Sequence, residues 1–455
     1  MAPAPEAAHL RDLDREHLSW GDAVHLQDRP ILASWAEGEV VHDLEGHRYI
    51  DTQMWHSACN FGYRNRAIER GLAAQLERLP QVSSDFLHSE RLLLAKGVCD
   101  AIQERTGLRG RVGYAMTGTL AVEEALKIVR RHTGNNRMAV MTGAYHGRSL
   151  EVSALSCSAR YRRPFGQFAD RAVMFPFADC ARCPYEKRRE DCGTFCGRMI
   201  AGALASDACG IACEEGPEIG ALVLEMCQGR GYTVPPRDFF TAFVPAAQAR
   251  GILVVDDEIQ VGLFRTGSLF AFEHYGITPD IVLLGKSLTN GLCPQSLIWA
   301  REGLAEPAVF GPGLTHGTFS VHPLGTAAAL ATWHYMLSRD YGQRLLVPAA
   351  RYLAGLERLK ARHPSVGSVG GVGMLFRLAF ADGKGAPLRG AAKRAVTLAQ
   401  EEDYLHEGEV FRMILSSGGD WGEVLKLAPC LDITLEEIDR TMAVLDQVIG
   451  RLEDP

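Results

Sequence analysis

The amino-acid sequence predicts an α/β protein with a large, mostly parallel β-sheet, a small N-terminal segment and a C-terminal α+β domain. Two observations lead to this fold class. The chain has 455 residues, and a single hydrophobic core rarely grows beyond about 250–300 residues, so more than one domain is expected. From about residue 112, apolar runs alternate with helix-like segments, which is typical of a parallel sheet covered by helices. The seven runs are RVGYAM, RMAVMTG, RAVMFPF, ALVLE, GILVVDDE, DIVLLGK and QSLIWA.

The elements around this sheet are predicted from local patterns. Residues 39–51, EVVHDLEGHRYID, alternate apolar and polar side chains around Glu45-Gly46, which predicts a β-hairpin. Residues 121–131 carry apolar side chains at helical spacing. The chain turns helical after Pro323, with strands near 372–380 and 424–428 and a closing helix from Leu435. The expected domains are 1–55 (N-terminal arm and small-domain segment), 56–325 (large domain, with a cysteine-rich insertion at about 178–215) and 326–455 (C-terminal small domain).

Composition and charge exclude several classes of function. Apolar residues make up 47% of the chain and charged residues 23%, as in globular proteins. The net charge is 48 − 55 = −7, so no basic excess favours nucleic acid or anionic membranes. The apolar runs are too short to cross a bilayer, and the start of the chain lacks the pattern of a secretory signal. The sequence therefore predicts a cytoplasmic protein without nucleic-acid or membrane partners.

Two neighbouring predicted strands end in chemically active side chains. In GILVVDDEIQVGLFRTG, an apolar run leads into Asp256, Asp257 and Glu258, and DIVLLGKSLTNG places Lys286 directly after the next run. Taken alone, Lys286 fits a strand-end lysine whose ammonium reaches water. A lysine amine beside acids at adjacent strand ends is also what a Schiff base with pyridoxal 5′-phosphate (PLP) requires, because an acid keeps the pyridine nitrogen protonated.

Two turns can complete such a site. Thr117-Gly118-Thr119 lies between a strand and a helix, where N–H groups and hydroxyls can bind a phosphate at the positive helix end. The alternative is an ordinary turn capped by threonine. Tyr145-His146-Gly147 follows the strand RMAVMT, where an aromatic ring can stack on a cofactor. The alternative there is an aromatic packed in a turn.

Eight segments, in this order, resemble the class III aminotransferases, which are PLP-dependent enzymes of fold type I. The resemblance extends from about residue 39 to the end of the chain. It implies a large PLP-binding domain with a mostly parallel sheet and a smaller α+β domain formed by the N- and C-terminal segments. The eight segments are DLEGHRYID, TGTLAVEEALK, GAYHGRS, LVLEMCQGRGY, VVDDEIQVGLFRTG, DIVLLGKSL, THGTFSVHPLG and VLKLAPCLDIT.

The resemblance implies a role for each residue that matches a family motif. Lys286 would form the aldimine with PLP and then carry the proton between substrate carbon and cofactor. Asp257 would pair with the pyridinium nitrogen. The other implied cofactor contacts are Ile259 on the far face of the ring, Gln260 near the ring hydroxyl, Gly118 and Thr119 on the phosphate, Tyr145 stacked on the ring with His146 beside it, and Thr318 on the phosphate of a partner subunit. The family's active site lies at a dimer interface, so a homodimer is implied.

The implied activity is transamination. A PLP-dependent aminotransferase moves an amino group from an amine or amino acid to a keto acid, aldehyde or ketone by a ping-pong mechanism, here through an aldimine of Lys286. The same fold and cofactor also support decarboxylation, racemisation or epimerisation, and phosphate elimination, because substrate contacts decide which bond is cleaved. A non-catalytic PLP-binding regulator is a third alternative, which the retention of Lys286 and Asp257 disfavours.

Several positions depart from the family pattern and bear on the substrate. Leu120 replaces the acid that many members have after the Gly-Ser/Thr pair. In ω-aminotransferases the residue matching Glu225 often pairs with an arginine that admits an α-carboxylate, but Lys426 occupies the expected arginine position. Lysine cannot form the two-pronged contact of arginine with a carboxylate. Trp55 falls where family members line the substrate pocket, and the alternative is a core tryptophan.

The cysteines form a cluster outside these segments. The chain has 12 cysteines, and CARCPYEKRREDCGTFC contains Cys180, Cys183, Cys192 and Cys196. The Cys-x2-Cys pair has the spacing of zinc or iron–sulfur ligands, and four thiolates can close a tetrahedral site. The alternative is reduced thiols or disulfides. A bound metal would stabilise the structure of the insertion rather than take part in catalysis.

Overall fold

A computed structural model describes residues 6–19, 21, 30–166, 172–206, 211–213 and 216–454 of the chain. The helices are α1 (Ala7–His17), α2 (Met54–Ser57), α3 (Arg66–Arg78), α4 (Ser89–Thr106), α5 (Gly118–Thr133), α6 (Leu150–Ser153), α7 (Phe195–Ala205), α8 (Val244–Ala249), α9 (Pro323–Leu337), α10 (Tyr341–Arg344), α11 (Leu346–Arg362), α12 (Ala391–Glu401) and α13 (Leu435–Glu453).

The strands alternate with these helices through the middle of the chain and are concentrated again near its end. They are β1 (Ala33–Glu37), β2 (Val40–Asp43), β3 (Arg48–Asp51), β4 (Gly110–Ala115), β5 (Met138–Met141), β6 (Ala172–Phe175), β7 (Ala212–Cys213), β8 (Gly216–Pro217), β9 (Ala221–Leu224), β10 (Leu253–Asp257), β11 (Ile281–Leu284), β12 (Ser296–Arg301), β13 (Val366–Val372), β14 (Leu375–Phe380), β15 (Tyr404–His406), β16 (Glu409–Ile414), β17 (Ser416–Gly418) and β18 (Val424–Leu427).

The seven apolar runs predicted as strands are the seven strands of the largest sheet. Its order is β4-β12-β11-β10-β9-β5-β6. Only β12 runs against its neighbours, since it pairs antiparallel with both β11 and β4. The mostly parallel sheet and the α/β fold class are therefore confirmed. Within the described part of the chain, no helix combines the length and the apolar character that crossing a membrane requires.

Burial on both faces explains why these strands are continuous apolar runs. Val254 and Leu222 point into the hydrophobic core on one side of the sheet. Their neighbours Val255 and Val223 point into a second core on the other side, where Val122 of α5 also packs. Successive side chains of a strand face opposite ways, so a sheet covered on both faces needs apolar residues at every position.

Of two smaller sheets, the first combines strands from the N- and C-terminal parts of the chain and the second is built from C-terminal strands alone. The first has the order β1-β2-β3-β16-β15, and its parallel pair β3 and β16 places Tyr49 opposite Arg412. The second has the order β13-β14-β18-β17. The predicted hairpin around Glu45-Gly46 is confirmed by β2 and β3, and the closing helix begins at Leu435 as predicted. The domain boundaries at 55 and 325 stay predictions.

A fully buried arginine in the segment after β10 connects the large sheet to the second smaller sheet and to the segment after α2. The Arg265 side chain is 0% exposed. Its Nε and Nη2 donate to Asn60 Oδ1 at 3.2 and 2.5 Å, and its Nη1 donates to the carbonyl oxygens of Met374 and Pro429 at 2.8 and 2.6 Å. Burial lowers the pKa of Arg265 to about 10, which leaves the guanidinium charged at neutral pH. One charged group therefore holds three distant segments together.

Replacing this arginine should destabilise the whole fold. Arg265→Leu leaves three buried acceptors without donors, and we expect the free energy of unfolding to fall by about 3 kcal/mol or more. Urea denaturation followed by circular dichroism measures the change. Arg362→Leu is the matched control, because the Arg362 side chain is 72% exposed in its pair with Asp446. Its loss should lower the free energy of unfolding by less than about 1 kcal/mol. Equal losses in the two variants would contradict the prediction.

Candidate active site

The predicted site residues converge at one edge of the large sheet. Parallel strands bring their carboxyl ends to the same edge, which is where α/β sheets bind ligands. Each of five strands delivers a predicted residue there, or in the turn that follows. These are Gly118 and Thr119 after β4, Tyr145 and His146 after β5, Glu225 after β9, Asp257 at the end of β10, and Lys286 after β11.

Asp257 is held by a buried histidine. His146 Nδ1 lies 2.8 Å from Asp257 Oδ2, and both side chains are almost fully buried. The other carboxylate oxygen accepts the N–H of Ile259 at 3.2 Å. Burial disfavours the charged imidazole, but the hydrogen bond and charge of Asp257, together with the charge of Glu225, outweigh it and raise the pKa of His146. The pair presents a fixed carboxylate at the end of the strand.

Lys286 begins a short 3-10 turn directly after β11. Its backbone has φ +45°, in the left-handed region that few lysines adopt. Burial lowers the pKa of its amine, and the negative charges of Asp257 and Glu225 oppose that effect. A lowered pKa increases the fraction of neutral, nucleophilic amine. Lys286 thus has the electrostatic surroundings that a carbonyl-binding lysine needs.

Ile259 forms an apolar wall between two glycines. A Cβ atom on Gly118 would lie 2.9 Å from Ile259 Cδ1, and one on Gly285 would lie 3.4 Å from Ile259 Cγ2 and 2.7 Å from Ser296 Oγ. The absence of a side chain at both glycines therefore lets Ile259 pack directly against the backbone, at the level of the strand ends.

The first turn of α5 provides donors for an anion. Thr117 caps the helix, and its hydroxyl accepts the N–H of Leu120 at 3.2 Å. Gly118 and Thr119 follow as the first helical residues, whose N–H groups have no acceptor within the helix. A Cβ on Gly147 would lie 2.5 Å from Thr119 Oγ1, so the turn after β5 closes over this helix end. The arrangement suits a phosphate.

These features fit PLP. The amine of Lys286 suits its aldehyde, the carboxylate of Asp257 suits its ring nitrogen, and the N-terminus of α5 suits its phosphate. His146 Nε2 is buried without a hydrogen-bond partner, as expected beside a site built to hold a further polar group. The Tyr145 ring remains 36% exposed and has an edge contact with Tyr161 at 5.6 Å, so its stacking role stays a prediction.

Glu225 and Lys426 both contact the backbone of one residue, Gly229, rather than each other. Glu225 accepts the N–H groups of Tyr145 and Gly229 at 3.1 and 3.0 Å. Lys426 Nζ donates to the carbonyl oxygen of the same Gly229 at 3.2 Å and lies 5.4 Å from the Tyr232 ring centre. Burial and the charge of Lys286 lower the pKa of Lys426 to about 8. The sequence did not single out Tyr232, whose hydroxyl accepts from Gln260 Nε2 at 3.2 Å.

Trp55 lies at the surface, so the alternative of a core tryptophan is wrong. Its side chain is 58% exposed, and a Cβ on Gly291 would lie 3.1 Å from its ring. Trp55 belongs to α2, where it has φ +52°. Asp51 holds the start of this turn by accepting the N–H groups of Gln53 and Met54 at 2.7 and 2.8 Å. The turn thereby projects the tryptophan toward solvent.

His56 is a site residue that the sequence analysis missed. It follows Trp55 in the same left-handed turn, with φ +54°. More than a third of His56 is exposed, yet the surrounding protein atoms and the positive charges of Lys426 and Lys286 lower the pKa of its imidazole. The neutral imidazole is therefore favoured, within electrostatic reach of both lysines. Only its position next to Trp55 could have indicated it.

The other two acids of the β10 sequence point away from the site. Asp256 is 0% exposed, and burial together with the adjacent Glu258 raises its pKa well above the ordinary value. Burial raises the pKa of Glu258 to about 7, and its carboxylate accepts the N–H of Phe272 at 2.9 Å. Burial therefore favours the protonated form of both acids.

The remaining predicted residues lie apart from Lys286. Thr318 is exposed in the segment between β12 and α9, so its contact with a phosphate requires a second chain and stays a prediction. The four clustered cysteines line a different cavity, beside α7. They are Cys180, Cys183, Cys192 and Cys196.

Comparisons with known proteins agree with this site. A family model described as aminotransferase class III matches residues 23–449. A diaminobutyrate–2-oxoglutarate aminotransferase of Rhizobium meliloti (strain 1021) is 31% identical over 453 residues, covering 97% of this chain and 92% of the relative. A leucine/methionine racemase of Thermococcus litoralis is 28% identical over 437 residues, covering 93% and 92%.

A solved structure shows the same fold. An aminotransferase of Bacillus anthracis has a TM-score of 0.85 with this chain at 22% identity, covering 98% of this chain and 100% of the other. This likeness extends over the large sheet and both smaller sheets, so the fold type I architecture includes both ends of the chain.

Proposed function

Because this chain belongs to the class III aminotransferase family and is a PLP-dependent transaminase, we propose that Lys286 and Asp257 are its catalytic residues. The observation that carries this assignment is the buried pair of His146 and Asp257, joined at 2.8 Å, at the strand end next to Lys286. When bound, PLP supplies an electron sink that stabilises negative charge on the substrate carbon.

In this proposal the residues of the chain bind, orient and move a proton. Gly118 and Thr119 bind the phosphate, and Ile259 covers one face of the ring. The Asp257 carboxylate would pair with the protonated ring nitrogen, because the hydrogen bond to His146 fixes that carboxylate in place. Lys286 Nζ would carry the proton between the substrate carbon and the cofactor, as a general base with a lowered pKa. The other proposed contacts are Tyr145 and Gln260 on the ring, and Thr318 from a partner chain.

Racemisation is the second candidate, and the racemase among the relatives favours keeping it. The two activities differ in the fate of the amino group. A transaminase mixed with an amine in the absence of a keto acid stops after one turnover with the cofactor aminated. A racemase continues, because the amino group stays on its carbon and only the proton of that carbon is removed and returned.

Removing the Lys286 amine should abolish transamination without preventing cofactor binding. In Lys286→Ala no group can move the proton at the substrate carbon, so we expect turnover to fall by about 10⁴-fold or more. Stopped-flow absorbance of the cofactor, with a panel of ω-amino acids, α-amino acids and simple amines, measures this. Lys127→Ala is the control, because Lys127 is exposed on α5. Residual turnover near that of the control would refute the assignment of Lys286.

Lys426 is proposed to bind the carboxylate of the keto-acid acceptor. Its ammonium uses one donor on Gly229 and keeps two more. The Glu225 carboxylate is hydrogen-bonded to two peptide N–H groups rather than to Lys426, and its charge acts on Lys426 only through space. Among the relatives, the diaminobutyrate enzyme has 2-oxoglutarate in its name, which supports a dicarboxylic keto acid as acceptor and an ω-amine as donor.

Replacing Lys426 should therefore affect the acceptor more than the donor. Lys426→Met removes the ion pair, and we expect KM for the keto acid to rise about tenfold or more, equivalent to about 1.4 kcal/mol. The half-reaction with a simple amine should change little. Steady-state kinetics with varied keto acid measures the effect, and Lys426→Arg is the control that keeps the charge.

The same assignment predicts a pH dependence. The Lys426 ammonium is charged below about pH 8 and neutral above it, so kcat/KM for the keto acid should fall as the pH rises through that value. Arginine stays charged over this range, so the fall should be absent in Lys426→Arg. Identical pH profiles for the two proteins would exclude Lys426 as the carboxylate ligand.

We also propose a homodimer with shared active sites. Ser84 Oγ lies 3.2 Å from His316 Nε2, which places the segment before α4 against the segment that carries Thr318. Six large apolar side chains of these two segments and of the start of α4 are exposed, more than an isolated surface would favour. They are Phe86, Leu87, Leu92, Leu93, Leu314 and Phe319.

A charge placed in this apolar patch should separate the subunits. Leu87 is 68% exposed, and in Leu87→Asp a buried carboxylate would oppose association, so we expect monomers and a loss of activity. Size-exclusion chromatography with light scattering gives the mass. Leu405→Asp is the control, since Leu405 is 62% exposed on β15, in a different sheet. A wild-type protein that is monomeric at micromolar concentration would contradict the proposal.

A cytoplasmic location completes the proposed function. The ten cysteines whose side chains the structure describes are all free thiols, which suits a reducing compartment. The net charge of −7 gives no attraction to nucleic acid or to anionic membranes. The proposed partners are accordingly a small amine, a carbonyl acceptor and a second copy of the chain.

A further inference from the structure

Four cysteines meet at one small cavity beside α7. The cavity is lined by Cys180, Cys183, Cys192 and Cys196 and has a volume of about 20 Å³, which is room for a single ion or water rather than an inorganic cluster. The four thiols belong to one continuous segment, and none of them forms a disulfide. The cavity lies outside the site formed by the ends of the large sheet.

Local hydrogen bonds fix the backbone around these thiols. A 3-10 turn, Cys180–Arg182, separates the first two cysteines, and Asp179 fixes it by accepting the N–H of Ala181 at 3.2 Å. Arg198 Nη1 donates to the carbonyl oxygen of Cys192 at 3.3 Å, and Cys192 Sγ lies 3.8 Å from the carbonyl oxygen of Arg189. Both pairs of cysteines are therefore held on ordered backbone.

Cations surround the cavity. Lys187 Nζ lies 4.7 Å and the Arg198 guanidinium 5.9 Å from the centre of the Phe195 ring. Arg189 also lines the cavity wall. Four thiolates around a divalent cation carry a net charge of −2, which these three groups would offset.

We propose that Cys180, Cys183, Cys192 and Cys196 together bind one Zn²⁺ in a closed, structural site. Four sulfur ligands suit tetrahedral zinc and leave no position for catalysis. Binding releases the thiol protons, because the ligands are thiolates. The sulfurs must also draw together, since the described residues bring three or more ligand atoms within 4.8 Å of one another only at Asp43, Glu45 and His47.

That other group is a poor metal site. Glu45 is paired with Arg11, and the Asp43 carboxylate is already bonded to His47 and Tyr49. A cation there would have to displace these partners. The cysteine cavity has no comparable competitor, because its lining thiols are free.

The proposed zinc would connect two parts of the molecule. Arg182 lies between the first two cysteines, and its Nη1 forms an ion pair with Glu423 at 2.6 Å, where the Glu423 side chain is 1% exposed. Asp179 lies 3.8 Å from Arg377 of β14. Glu423 directly precedes β18, the strand that carries Lys426. A closed metal site would therefore fix the surface against which the Lys426 strand is positioned.

The other two ligands are anchored to the large sheet region. Arg189 Nη2 pairs with Asp238 at 2.7 Å, and Thr194 donates to the same carboxylate. Gly197 allows α7 to pack closely, since a Cβ there would lie 2.6 Å from Ala242 Cβ. The ion would thus connect the start of α7 to the turn at Cys180–Arg182, which faces the second small sheet.

Metal analysis of the purified holoenzyme tests the proposal directly. The protein is produced with both zinc and iron in the medium, freed of loose metal by gel filtration and measured by inductively coupled plasma mass spectrometry. We expect about one zinc per chain, lost in Cys183→Ser and in Cys196→Ser. The control is Cys99→Ser, which removes a half-buried thiol on α4 and should keep the zinc.

Thiol titration of the native protein adds a second measurement that does not depend on folding of the variants. The four clustered thiols should react only after a strong chelator is added, with release of zinc to a colorimetric indicator. Metal well below one equivalent in the wild type, iron in place of zinc, or zinc retained in both serine variants would overturn the proposal. None of these readouts depends on transaminase activity.

Discussion

The buried guanidinium of Arg265 is the contact on which the relation between the parts of this molecule depends. It follows β10, the strand that ends in Asp257, and it binds Asn60 together with the carbonyl groups of Met374 and Pro429. A charge with no access to water is stable only when its donors are satisfied. The three segments must therefore stay in place, and they flank the active site: Asn60 lies shortly after Trp55, and Pro429 shortly after Lys426.

Close backbone packing strengthens the same junction. Gly373 has φ +56°, and a Cβ atom there would lie 2.2 Å from the carbonyl carbon of Thr266. Met374 in turn donates its N–H to the Arg265 carbonyl at 3.0 Å. Only glycine permits this approach between the β13–β14 turn and the segment after β10. Backbone geometry as well as charge therefore fixes the position of the β13–β14 turn relative to the segment after β10.

Sequence patterns predicted the large sheet well because each of its strands can be identified from its own residues. A strand buried on both faces must be apolar throughout, so all seven runs could be identified without knowing their partners. The positions of Asp257 and Lys286 at one sheet edge follow from the same pattern. The pairing of β3 with β16 joins Tyr49 to Arg412 across most of the chain, and no local pattern contains it. His56 was missed because a left-handed turn leaves no periodic signal.

The contrast between Glu225 and Lys426 shows what a single substitution changes. An arginine at position 426 would offer five donors in a planar fork and could engage a neighbouring carboxylate with two hydrogen bonds. Lysine has a compact charge and rests on the Gly229 carbonyl, while Glu225 binds the N–H of the same residue. Each group is held by a neutral peptide instead of by the other. The charge of Glu225 acts on Lys286, His146 and Lys426 alike, so Glu225 and Lys426 interact through space and through Gly229 rather than in the direct ion pair that an arginine could form.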